Sequence, residues 1–82
     1  MKIAEFKMKV TPEQSEQVQR ILFDNGEAWN AGEKRVILTE RPFIYFSFGI
    51  MSGTIEDNFN SNRFPELTFS QFMELYGKEE KK

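Results

Sequence analysis

Apolar and polar positions alternate at the start of the chain: Ala4, Phe6, Met8 and Val10 are interleaved with Glu5, Lys7 and Lys9. A period of two sets one group on each face of a pleated backbone, so the segment predicts a half-buried strand. The pattern then changes. Thr11-Pro12-Glu13-Gln14 supplies a capping hydroxyl, a proline at the first helical position and a Gln placed to close a capping box. Val18, Ile21 and Leu22 follow on one face at helical spacing, and Asn25-Gly26 provides a C-terminal stop. A helix is predicted from Thr11 to Asn25, with Phe23 flanking its buried stripe.

Beyond Gly26 the chain reads as strands. Trp29 precedes a turn-forming Asn30-Ala31-Gly32-Glu33, and Val36 to Thr39 is a β-branched run, which together suggest a hairpin. Glu40-Arg41-Pro42 separates that run from Phe43-Ile44-Tyr45-Phe46-Ser47-Phe48, so the two runs are expected to pair as antiparallel neighbours. Both faces of Phe43 to Phe48 are apolar. Such a strand is either central and covered on both sides or turns one aromatic face outward. Gly49 and Ser52-Gly53 suggest reversals before Thr54-Ile55.

Glu56 to Asn62 reads as a surface loop or a single irregular helical turn anchored by Phe59. Thr68 and Gln71 form a second capping box, Leu67 and Phe72 occupy the positions of a hydrophobic staple, and a short helix runs to Tyr76 before Gly77. The expected fold class is α+β: a small, mainly antiparallel sheet of about four to five strands packed on one long helix, with a short C-terminal helix. Residues 1–77 are expected to form a single domain and 78–82 a charged tail.

Composition adds to this picture chiefly through its aromatics. Nine Phe, two Tyr and one Trp give a chain of 82 residues large buried areas per side chain, so a core is feasible without disulfides. There is no Cys and no apolar signal segment follows Met1, which makes cytoplasm the expected compartment. No apolar run approaches the roughly 20 residues of a membrane span, so no membrane partner is expected. Thirteen acids against 11 bases leave a net charge of −2, too little field to predict a nucleic-acid partner.

The candidate chemistry is narrowed by absences. Without His or Cys the chain lacks the usual general base near neutral pH, the thiolate nucleophile and the soft ligands of structural zinc. No enzymatic activity and no cofactor are expected. A calcium loop begun at Asp57 has Asn62 where the sixth-position Gly belongs and Thr68 where the twelfth-position Glu belongs. No glycine-rich phosphate cradle occurs. A base can still stack on Tyr45, Phe43 or Trp29 while Arg35 or Arg41 meets a phosphate.

The run Thr11 to Gln19, followed by Ile21-Leu22-Phe23, Asn25-Gly26 and Trp29, resembles the opening of small accessory proteins of tailed bacteriophages. Those proteins have a similar Pro-aromatic strand, here Pro42 to Phe46, and a similar closing helix, here beginning Glu66-Leu67-Thr68-Phe69. The resemblance implies a protein that acts in the host cytoplasm by binding and modulating a host protein, such as a defence or transcription factor. For that role Phe23, Trp29, Tyr45 and Phe64 are the candidate contact residues, with Glu56 and Asp57 steering the encounter. The alternatives are a module that sequesters a nucleotide, as a monomer or homo-oligomer, and a structural protein that self-associates. Basic and aromatic residues converging on one pocket would favour the nucleotide. A flat apolar patch ringed by polar groups would favour the protein partner.

Overall fold

The computed structural model describes residues 3–77; the charged tail expected over 78–82 lies outside them. The alternating first segment forms β1 (Phe6–Lys9), and the capped segment forms α1 (Pro12–Asp24). They are followed by β2 (Phe43–Phe46), β3 (Ile50–Gly53), α2 (Glu56–Ser61) and α3 (Phe69–Tyr76). The sheet is antiparallel in the order β1-β2-β3, with Phe6 opposite Phe46 and Tyr45 opposite both Lys7 and Met51.

The fold is α+β, but the sheet has three strands rather than four to five. The expected hairpin from Trp29 to Thr39 does not form. Its β-branched run is captured by α1: the Gln19 carboxamide accepts from the Ile37 N–H at 3.0 Å and donates to the Ile37 carbonyl at 2.8 Å. With those backbone groups satisfied by a helix side chain, and Leu38 at φ 58°, the run has no ladder to join. The antiparallel partner of β2 is instead β3. The reversal before it falls at Ser47 to Gly49, whereas Ser52-Gly53, expected to be a turn, lies inside β3.

The single long helix is also corrected. At 13 residues α1 makes fewer than about four turns, and it shares the inner face of the sheet with α3. Val18 and Leu22 of α1 and Phe72 of α3 close over Phe6, Met8, Ile44, Phe46 and Ile50. Phe6 lies 5.7 Å from Phe46 and 5.4 Å from Phe72 between ring centroids. Both helices start at the expected capping boxes, Thr11 with Gln14 and Thr68 with Gln71.

Strand alternation turns Lys7, Lys9, Phe43, Tyr45, Met51 and Gly53 to the opposite face. There the segment read as a loop or helical turn is the six-residue helix α2, whose buried Phe59 stacks on Phe43 at 4.7 Å. β2 is therefore central, covered on its inner face by α1 and α3 and on its outer face by α2 over Phe43. The outer edges are each met by one short bridge: Lys7 pairs with Glu66, and Ile50 with Trp29. Gly49 permits the second, since a Cβ there would lie 3.0 Å from the Asn30 backbone.

A cleft between the sheet and the second helix

Tyr45 occupies the middle of the outer face. Its ring lies across Gly53, where an added Cβ would stand 3.3 Å from Cε2, and its other neighbour is Phe59 at 6.0 Å. Burial raises the pKa of its phenol above the ordinary value, so the hydroxyl stays protonated through the neutral range. The ring is half-buried because α2 covers only the Phe43 side of this face. What α2 leaves open is a cleft of about 400 Å³. Tyr45, Met51 and Gly53 line it from the sheet, Ile55 and Asn58 from α2 and its cap, and Asn62, Phe64 and Arg41 from the flanking chain.

Each wall is held by a local device. Lys7 reaches across from β1: its ammonium donates to the carbonyls of Phe59 at 2.5 Å and Asn62 at 2.9 Å and lies 4.6 Å from the Phe59 ring centre. A cation at the helix C-terminus is where the peptide dipoles favour it, so Lys7 clamps α2 to the sheet. Asn62 Oδ1 then accepts from the Phe64 N–H at 2.7 Å, which turns Phe64 back toward the cleft. On the far side the Arg41 N–H donates to Leu38 at 3.2 Å. Its guanidinium approaches Glu40 only to 3.9 Å.

The start of α2 breaks a rule that the other helices obey. Its N-cap is Ile55, with no side-chain hydrogen bond to the free N–H groups of the first turn. Ile55 is 56% exposed, so the position gains neither a cap nor burial and instead places an apolar side chain on the cleft rim. Departures from local preference of this kind concentrate at functional sites.

The residues singled out from sequence divide into three groups. Tyr45 and Phe64 meet in the cleft, joined by Arg41. Glu56 and Asp57 are exposed on the first turn of α2, immediately after the rim residue Ile55. Phe23 and Trp29 are elsewhere: Phe23 packs on the inner core, and Trp29 is buried with its indole N–H donating to the Arg35 carbonyl at 3.1 Å. A patch made of all four aromatics is therefore not formed.

Sequence reading passed over Ile55, Gly53 and the clamping role of Lys7. The first two carried a legible signal, an apolar residue where a cap belongs and a glycine in a strand. The third did not, since lysine in an alternating strand reads as solvent-facing. The enclosed Ser52 hydroxyl makes no hydrogen bond among the described residues. Alternation turns it toward the face of Ile44, so it is not counted among the cleft donors.

Among the described residues no cluster of acidic side chains could hold a metal ion, and no helix is long and apolar enough to cross a membrane. Comparison with protein families, with curated proteins and with solved structures finds no match.

Proposed function

We propose that the chain is a small binding module that captures a planar, polar ligand of the nucleotide class in the cleft between β3 and α2. The observation that carries this reading is the convergence of Tyr45, Phe64 and Arg41 with the amides of Asn58 and Asn62 on one concavity. An aromatic wall stacks any heterocycle, amides meet its polar edge, and a guanidinium meets an anion through paired N–H donors. The reading is one of capture without turnover, because among the described residues the lining includes no carboxylate to serve as a base. Sequestering a nucleotide in the host cytoplasm is also a role that fits an accessory protein of the bacteriophage type the sequence resembles.

A second reading is kept for one observation. Ile55, exposed on the rim, is followed directly by the exposed Glu56 and Asp57, which is an apolar contact with acidic steering of the kind a basic host protein would meet.

The test is an NMR titration of the isotopically labelled protein with ribonucleotides. Under the first reading the shifted signals are those of Arg41, Tyr45, Asn58 and Phe64, while Trp29 and Phe23 stay still. Shifts centred on Trp29 or Phe23, or no shift at millimolar nucleotide, would refute it.

A further inference from the structure

We infer that the cleft selects a ligand of mononucleotide size bearing a single phosphate, with its ring against Tyr45 and Phe64 and its anion at Arg41. This rests on the nucleotide reading and adds the ligand's size, charge and orientation. Size comes from the volume: at about 400 Å³ the cleft stands near the lower end of the roughly 300–1,000 Å³ of small-molecule sites, which matches one nucleotide.

Charge comes from a count of the lining. Among the described residues Arg41 is the sole charged side chain of the lining, the others being neutral polar or apolar. Its link to Glu40 is a 3.9 Å approach through Nε, and its two terminal nitrogens hold no hydrogen bond among the described residues, which leaves a pair of donors for an anion in the cleft. One guanidinium in the lining offers paired donors to one phosphate group. Glu56 and Asp57, exposed and negative on the turn that follows the rim residue Ile55, add no charge that would favour further phosphates. Lys7 and Lys9 do not alter the balance: the first is committed to the Phe59 and Asn62 carbonyls, and the second lies 5.7 Å from the Phe59 ring centre.

Orientation follows from where the donors stand. The Tyr45 ring is pinned between Gly53 and Phe59, and its protonated hydroxyl is a donor to a ring nitrogen or carbonyl of the base. Arg41 enters from the segment that leads into β2 and holds the opposite end of the ligand.

The experiment is isothermal titration of the full chain with nucleosides and their mono- and triphosphates, for each of the four ribonucleoside bases, repeated on Arg41→Gln and Tyr45→Phe. For the base that binds, the monophosphate is expected to bind about tenfold or more tighter than the nucleoside, the scale of one hydrogen-bonded charge contact. The triphosphate should bind no better than the monophosphate. Arg41→Gln should erase the phosphate advantage without changing the circular dichroism spectrum, and Tyr45→Phe should weaken nucleoside and monophosphate equally. A triphosphate preferred over the monophosphate, or a phosphate advantage that survives Arg41→Gln, overturns the inference and leaves the nucleotide reading standing. Failure of every compound to bind the folded protein overturns the nucleotide reading and the inference with it.

Discussion

Lys7 sits in a strand between Phe6 and Met8, where alternation marks it as a solvent-facing charge, yet it is only 7% exposed. Its aliphatic stem crosses the sheet and its ammonium serves two carbonyls at the end of α2. Lys7→Met keeps the stem and removes the donor, leaving two acceptors without their partner. Urea unfolding of that variant is expected to show a loss of about 1–3 kcal/mol. An unchanged midpoint would mean that water replaces the ammonium without cost.

Tyr45 makes a prediction of opposite character. Its phenol titrates near 10 in an unfolded chain and higher in the folded one, because burial penalises the phenolate. The folded state therefore holds its proton more tightly. The associated stability is complete below pH 10 and is lost as pH rises through the raised folded value. Melting temperatures recorded from pH 8 to 11 should fall less steeply for Tyr45→Phe than for the parent chain; parallel curves would remove Tyr45 from that linkage.

At the scale of elements, the three helices are started in two ways. α1 and α3 each close a full capping box, and Thr68→Ala should cost about 0.5–2 kcal/mol in thermal or urea unfolding. α2 has no such cap, and its position at the cleft depends on Phe59 beneath it and Lys7 at its end. Ile55→Ser would introduce the missing acceptor at an exposed position. It is expected to raise stability by about 0.5–2 kcal/mol, as helix-cap optimisation does, while lowering ligand affinity in the same titration. Unchanged affinity would show that Ile55 takes no part in the site. The contrast explains why the capping boxes located α1 and α3 in the sequence while α2 read as either a loop or one helical turn: nothing local announces a helix that is held from outside.

In the whole molecule, a three-stranded sheet is covered on its inner face by α1 and α3 and partly on its outer face by α2. The 31–41 segment is tied to this body through Gln19, which is fully buried and also donates to the Ser15 hydroxyl at 3.1 Å. Gln19→Ala should therefore act at a distance in sequence. Hydrogen exchange at the Ile37 amide is expected to quicken by about tenfold, the scale of one lost hydrogen bond, with the β2 amides unaffected. Equal exchange in the two proteins would mean that this segment is held without Gln19.

Local pattern was sufficient wherever a residue's partners are its near neighbours along the chain. The period of two in Phe6 to Lys9, the capping boxes at Thr11 and Thr68 and the apolar run of β2 each specify an element within a few residues. Strand number, the partner of β2 and the cleft were decided only by tertiary structure. Val36 to Thr39 has the composition of a strand, but backbone groups bond to whatever donor and acceptor the fold presents, and here that is a glutamine on a helix 18 positions away. The cleft likewise joins Arg41, Tyr45, Ile55 and Phe64 across two strands and a helix. Tyr45 and Phe64 stood out in the sequence as aromatics alongside Phe23 and Trp29; that the first pair lines a cavity and the second packs inward depends on which side of the sheet each reaches, a property of the assembled fold.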